Sequence, residues 1–152
     1  MKSTSFKTKI GWVTAYEQNN KIFKIKFSKS NKRSNTKVLK SFKKNLLKYF
    51  QKKTNYIKAN YKLVGNNTQK KIWNEMKKIK KGHTKSYGDL AKKFNLSPRY
   101  IGKICGQNKL PLIIPCHRVI KSDGSLGGFS GSGGIKLKEK ILKFEREKRS
   151  LN

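Results

Sequence analysis

Leu110-Pro111-Leu112-Ile113-Ile114-Pro115-Cys116-His117-Arg118-Val119-Ile120 sets an apolar run, punctuated by two prolines, directly against a thiol and an imidazole. Residues of this kind are usually buried, so Cys116 and His117 are expected at the rim of a core. Neighbouring side chains on an extended segment point to opposite faces. The pair can therefore meet only where the backbone turns, or across a bridging water. The bland reading is a small buried cysteine at a strand end. The segments on either side decide whether there is more.

Just upstream, Ser86-Tyr87-Gly88-Asp89 has the Ser-x-x-acid spacing of a helix start, and Leu90, Ala91 and Phe94 continue a short helix to Asn95-Leu96. Ser97-Pro98 then supplies an N-cap and a first helical position for a second helix carrying Arg99, Tyr100, Ile101, Lys103, Ile104 and Cys105 up to Gly106. Two short helices joined by a tight polar turn read as a helix-turn-helix. Before them, Thr68 is a plausible N-cap for a helix with the stripe Ile72, Trp73, Met76 and Ile79, closed by Gly82.

Downstream, Lys121-Ser122-Asp123-Gly124-Ser125 is a turn, followed by a glycine-rich loop from Leu126 to Gly134. The loop lacks the Gly-Lys-Ser/Thr ending of a phosphate-binding P-loop, but its glycines allow backbone to lie close to a flat ligand. A last helix presents Ile135, Leu137, Ile141, Leu142 and Phe144 on one face, with Glu139, Glu145 and Glu147 along it.

The N-terminal part has different periodicity. Ile10 to Tyr16 and Lys21 to Phe27 alternate as β-strands around Gln18-Asn19-Asn20, a hairpin. Val38, Leu39, Phe42, Leu46, Leu47, Tyr49 and Phe50 then recur at helical spacing. The pattern weakens between Lys52 and Asn67, so the expected division is a sheet-and-helix supporting domain at 1–60 and a mostly helical domain at 61–152. Tyr61-Lys62-Leu63-Val64 is an extended piece that opens the second. The fold class is α/β of the α+β kind: a small N-terminal hairpin or sheet with a helix, followed by a helical domain containing the helix-turn-helix.

Composition bounds the function. The chain has 152 residues, and 39 Lys plus Arg stand against 7 Asp plus Glu, a formal charge of +32. Such an excess favours polyanions through counterion release, so nucleic acid is the natural partner. A lysine-rich codon bias is the competing origin of the charge. No apolar run spans a bilayer and no apolar leader follows Met1, so the expectation is an intracellular protein without a membrane partner. Cys105 and Cys116, with two histidines and no Cys-x-x-Cys, predict free thiols and no structural metal. A cysteine nucleophile needs a base beside it and a carboxylate to orient that base. His117 is the candidate base. Glu139, Glu145 and Glu147 are equal candidates for the carboxylate on sequence alone.

Ile-Pro-Cys-His-Arg-Val at 114–119, with the preceding helix pair, resembles the O6-alkylguanine-DNA alkyltransferases, also called methylated-DNA–protein-cysteine methyltransferases. The resemblance is firm over about Asn67 to Glu145 and loose before it. It implies single-turnover DNA repair without a cofactor, in which a flipped-out O6-alkylguanine passes its alkyl group to Cys116 and the protein is consumed. His117 is then the base acting through a water, Glu145 its partner, and Asn108 the asparagine that braces the active-site turn and bonds the histidine region. By the same resemblance Tyr87 assists departure of the guanine, Ser130 lies near O6, and the Val119 carbonyl receives the exocyclic amine. Phe129 walls the pocket. Arg99 fills the stack, and Gly102 lets the recognition helix approach the phosphates, with Lys103 and Tyr87 also on the DNA side. The implied partner is double-stranded DNA carrying O6-alkylguanine, with O4-alkylthymine as a further substrate, bound by a monomer in the cytoplasm, or in the nucleus of a eukaryote. Three features depart from the family pattern: Lys109 replaces a usual proline, Phe129 a frequent tyrosine, and the glycine loop is longer than in some relatives. Two other readings compete. One is an inactive relative that binds damage and recruits others, against which Cys116 speaks. The other is a Cys-His hydrolase, which would need an oxyanion hole.

Overall fold

The computed structural model describes residues 1–129 and 134–147. They form two compact units, Met1–Val64 and Gly65–Asn152. Residues 61–64, expected in the second domain, belong to the first. Ile22 donates to the Asn60 carbonyl at 2.8 Å and accepts from the Lys62 amide at 2.9 Å, so the extended piece pairs with a strand of the N-terminal sheet.

In the first unit β1 (Lys2–Thr8), β2 (Gly11–Gln18) and β3 (Lys21–Lys26) form an antiparallel sheet in that order. The hairpin turn uses Asn19 and Asn20, both at positive φ (52° and 64°), as a two-residue turn matched to strand twist demands. The first strand adds to the expected hairpin: Lys-Ser-Thr-Ser-Phe-Lys-Thr offers one large apolar side chain, Phe6, and is held by its ladder to β2. Helix α1 (Lys37–Phe50) starts at Thr36, whose side chain accepts from the Leu39 amide, and buries Leu39, Phe42, Leu46, Tyr49 and Phe50. Phe6 meets Phe42 with ring centroids 6.0 Å apart. Leu47, read as part of the stripe, is 37% exposed because it lies at the stripe's edge.

The second unit opens with α2 (Asn67–Met76). Its cap is Asn66, not Thr68: Asn66 and Gln69 exchange side-chain and backbone hydrogen bonds in a complete capping box. Trp73 reaches from α2 to the Ile104 carbonyl at 3.0 Å. A two-residue strand β4 (Lys85–Ser86) leads into α3 (Tyr87–Phe94), where Ser86 and Asp89 form the expected capping box. Asn95, at φ 54°, ends that helix in the left-handed conformation that asparagine tolerates. Helix α4 (Pro98–Gly106) starts at the Ser97 cap with proline in its first turn, completing the helix-turn-helix. After it, Cys116–Arg118 form a 3-10 turn running into β5 (Val119–Ile120), and α5 (Gly134–Arg146) closes the unit. The parallel pairing of β4 with β5, Lys85 opposite Val119, was not legible in two residues of sequence. It sets Tyr87, the first residue of α3, beside the segment that carries Cys116. On α5 Leu137, Ile141, Leu142 and Phe144 are buried as expected, whereas Ile135 in the first turn is 54% exposed. Among the described residues no helix is long and apolar enough to cross a membrane.

Candidate active site

The backbone turns where the thiol and the imidazole stand. The 3-10 turn at Cys116–Arg118 replaces the extended alternation that would send neighbouring side chains to opposite faces. The apolar run before it folds back on itself: the Ile114 amide donates to the Leu110 carbonyl at 2.9 Å, and Leu112 takes a positive φ of 74°. That conformation is unfavourable for a leucine and needs external support. Asn108 gives it. Its carbonyl oxygen accepts from the Leu110 amide at 2.9 Å, and its amide donates to the Ile114 carbonyl at 3.0 Å. Both of these bonds go to the turn, and the Asn108 side chain also favours the thiolate of Cys116. Lys109, exposed beside it, is where the family proline would stand.

Cys116 is 3% exposed, and burial pushes its thiol pKa up. Hydrogen bonds from Asn108 and from the amides of Cys116 and His117, together with the Lys138 charge, act the other way. Those donors favour the thiolate, the form in which a cysteine attacks.

Behind the thiol lies a closed ionic network. Glu145 is the buried acid of α5, whereas Glu139 and Glu147 are exposed, which resolves the three-way choice left by the sequence. Its Oε1 accepts from His117 Nε2 at 2.8 Å and from Arg118 Nε at 2.9 Å. Its Oε2 accepts from Arg118 Nη2 at 2.6 Å. Arg118 Nη1 donates to the Ile79 carbonyl, just beyond α2, at 2.7 Å. Burial alone would raise the Glu145 pKa, but the hydrogen bonds from Arg118 and His117 outweigh it and hold the carboxyl well below its usual range. Because an ionised carboxylate only accepts, Nε2 of His117 must carry a proton. In the neutral ring Nδ1 is then the acceptor. It is buried and has no hydrogen-bond partner among the described residues. Burial lowers the His117 pKa, Glu145 opposes this, and the Arg118 and Lys138 charges reinforce it, with a net downward shift. The shift favours the neutral ring, in which Nδ1 keeps its lone pair.

In front of the thiol is a cavity of about 730 Å³ with Cys116 in its wall. Tyr87 comes to it from α3, Arg99, Gly102 and Cys105 from α4, and Phe129 from the glycine loop. Arg99 and Lys103 are exposed on α4, and Arg99 lines the cavity while Lys103 does not. The Tyr87 ring is flanked by two glycines. A Cβ on Gly102 would meet it at 3.9 Å, and one on Gly127, at φ 70°, would lie 3.1 Å from its hydroxyl. Only glycine lets the loop lie this close. Burial pushes the Tyr87 pKa up to about 12, so the phenol keeps its proton. Cys105 is 7% exposed, and burial pushes its thiol pKa far up, which makes it an unreactive thiol. Ser130 lies outside the described residues.

Lys138 is the residue the sequence reading missed. It is fully buried on α5, and its Nζ donates to the carbonyls of Val119 (2.7 Å), Leu126 (2.5 Å) and Gly128 (3.2 Å) and to the Tyr87 hydroxyl (3.3 Å). An ammonium cannot accept, so the Tyr87 oxygen accepts and its own O–H points elsewhere. The Val119 carbonyl, expected to receive the guanine amine, already takes one hydrogen bond from Lys138 and has one lone pair left.

Comparison with known proteins agrees with this geometry. A family model described as 6-O-methylguanine DNA methyltransferase, DNA binding domain, matches residues 67–147, more than half of the chain. A methylated-DNA–protein-cysteine methyltransferase of Methanocaldococcus vulcanius is 52% identical over 91 residues, covering 60% of this chain and 55% of its own length. The chain thus spans little more than half of that relative. Another, from Metallosphaera sedula, is 34% identical over 145 residues, 93% of this chain and 90% of its own. The fold of the Mycobacterium tuberculosis O6-methylguanine methyltransferase superposes with a TM-score of 0.84 at 23% identity, covering 99% of this chain and 96% of the other. A thiol backed by histidine and glutamate beneath a helix-turn-helix is thus no isolated coincidence of packing, and the chain belongs to the 6-O-methylguanine DNA methyltransferase family.

Proposed function

We propose that the protein repairs DNA by moving an alkyl group from O6-alkylguanine to Cys116, in one turnover. The observation that carries this reading is the position of Cys116, between a cavity open to the recognition helix and a buried base with its carboxylate. The thiol proton passes through a water to Nδ1 of His117. The sulfur then forms a bond to the alkyl carbon as the bond from that carbon to O6 breaks, and the electron pair stays with the departing purine. Tyr87 O–H supplies the purine with a proton, and the imidazolium and phenolate left behind return to neutrality through solvent. Guanine and an alkylated Cys116 are the products. A thioether does not hydrolyse readily, so each molecule acts once.

On the DNA side, Arg99 fills the space left by the extruded nucleotide, and Gly102 and Lys103 lie against the backbone. Flipping costs a few kcal/mol, which the inserted side chain and the pocket contacts offset. Asn108 holds the thiol in line, Phe129 walls the base, and the free lone pair of Val119 faces its polar edge. The substrate is duplex DNA, with O4-alkylthymine as a second lesion to test, and the protein acts as a monomer. Cys105 and Cys116 are free thiols, which suits the reducing interior of a cell. An inactive damage-binding role is disfavoured by a thiol equipped with four stabilising groups and a base.

Intact mass after incubation with duplex DNA bearing O6-methylguanine tests the reading. The expected result is a gain of one CH2 on Cys116, absent in Cys116→Ala. Binding without a mass change would overturn it in favour of the damage-binding role.

A further inference from the structure

The ionic network behind Cys116 contains one more cation than a cysteine-histidine-carboxylate triad requires. A buried carboxylate paired with histidine alone would draw a proton onto the ring, since an opposite charge at hydrogen-bond distance favours the charged form. The resulting imidazolium has no lone pair with which to take a proton from a thiol. Here Arg118 places its planar fork over both oxygens of Glu145, at 2.9 and 2.6 Å, while His117 shares Oε1 at 2.8 Å. A guanidinium stays charged throughout the accessible pH range and matches a carboxylate in two parallel bonds, which an ammonium cannot. The carboxylate charge is thereby already balanced when His117 meets it. Glu145 keeps its directional role, fixing the proton on Nε2, and loses most of its pull on a second proton.

Two other charged groups from α5 act on the ring, in opposite senses: Glu145 pulls a proton onto it, and Lys138 acts with Arg118 to keep it off. Helix α2, which also packs on the turn, buries only Ile72, Trp73 and Met76, and its Glu75 pairs with Lys78 and Lys93 instead. Among the described residues no second carboxylate acts on the ring beside Glu145.

We propose that Arg118 is a positioning residue that occupies both oxygens of Glu145 and so keeps His117 neutral, with Nδ1 free to take the thiol proton. This rests on His117 being the base of the proposed transfer. The consequence is an acid limb in the rate that lies below the ordinary imidazole range. Removing Arg118 moves that limb upward.

Single-turnover transfer from a free O6-alkylguanine, followed against pH, tests this without the pH dependence of DNA binding. In Arg118→Met the limb is expected to rise by about one pH unit or more, while the rate on the alkaline side keeps its plateau. Arg118→Lys, which keeps a cation at Glu145, leaves the limb near its original place, and Arg118→Met with Glu145→Gln brings it back. A rate that falls equally at every pH, with the limb unmoved, would mean a purely structural arginine and overturn the proposal. A wild-type limb that persists in His117→Gln would overturn it differently, by showing that His117 is not the base. If Arg118→Met does not fold, the ring nitrogens of the wild-type protein still decide. Their 15N shifts, with His83→Gln for assignment, should show a neutral Nε2-protonated ring at about pH 7. An imidazolium there would refute the assignment.

Discussion

The two sides of Cys116 each hold a buried cation, and the two are treated in opposite ways. Behind the thiol, Arg118 meets a charged carboxylate in two parallel bonds and shares it with His117. In front, the oxygens to which Lys138 donates, three carbonyls and a phenol, are all uncharged. Removing one partner of a buried pair strands the other, whereas a cation held by uncharged dipoles leaves only those dipoles to be resatisfied. The rear network therefore couples stability to chemistry, and the front lets the pocket be tuned with less cost to the fold.

Glu145→Gln attacks this contrast at its strongest point. It leaves the Arg118 guanidinium buried without its counter-charge, and unfolding by denaturant should show a loss of about 3–5 kcal/mol. The pH dependence should change with it. Both Glu145 and His117 have folded pKa values below their ordinary values of 4.5 and 6.5. A group depressed on folding contributes stability above its unfolded value and loses that contribution as pH falls through its folded one. The wild-type protein should therefore weaken on acidification, first below the imidazole range and again below the carboxylate range. The second decline should be smaller in Glu145→Gln, where the carboxylates of Glu75, Asp89 and Asp123 still contribute to it. If the variant is as stable as wild type, the rear network is not the anchor described here.

Lys138→Met tests the front. Methionine fills the volume, but the Val119 carbonyl, buried, loses its donor, while the loop carbonyls of half-buried Leu126 and exposed Gly128 can turn to water. A stability loss of about 1–3 kcal/mol is expected, smaller than for Glu145→Gln. Hydrogen exchange should quicken over 126–129, and transfer should fall because Tyr87 and the loop are no longer tied to α5. Equal losses in the two variants would erase the distinction between front and rear.

Much of this was legible in the sequence, for reasons that differ by residue. Ser86 and Ser97 announce helices because capping is local chemistry, settled within three residues. Cys116 and His117 stand out because an apolar run makes a thiol and an imidazole conspicuous. Lys138 was hidden by composition: it lies seven residues before Glu145, on the same face of α5, but it is one lysine among 34. Arg118 was hidden by the motif around it, yet a signal existed. Only five of the 39 cations are arginine, so an arginine in this chain marks a place where lysine would not serve, and Arg99 and Arg118 are two of the five. The β4–β5 pairing and the strand β1 left no such mark, because two residues carry no periodicity and one phenylalanine no stripe.

Arg99 marks the far end of the contrast, where chemistry and stability separate completely. It is exposed on α4 and lines the mouth of the cavity, with no side-chain ion pair or hydrogen bond among the described residues. Arg99→Ala should change the unfolding free energy by no more than about 0.5 kcal/mol. Its effect belongs to the DNA. Only a duplex substrate leaves a gap in the stack when the base is extruded, so transfer from duplex DNA should slow by roughly tenfold or more while transfer from a free O6-alkylguanine is unchanged. Single-turnover rates on the two substrates give the comparison directly. An equal loss on both would mean that Arg99 shapes the pocket itself, and the boundary between a rigid rear and a separable DNA-facing front would have to be drawn elsewhere on α4.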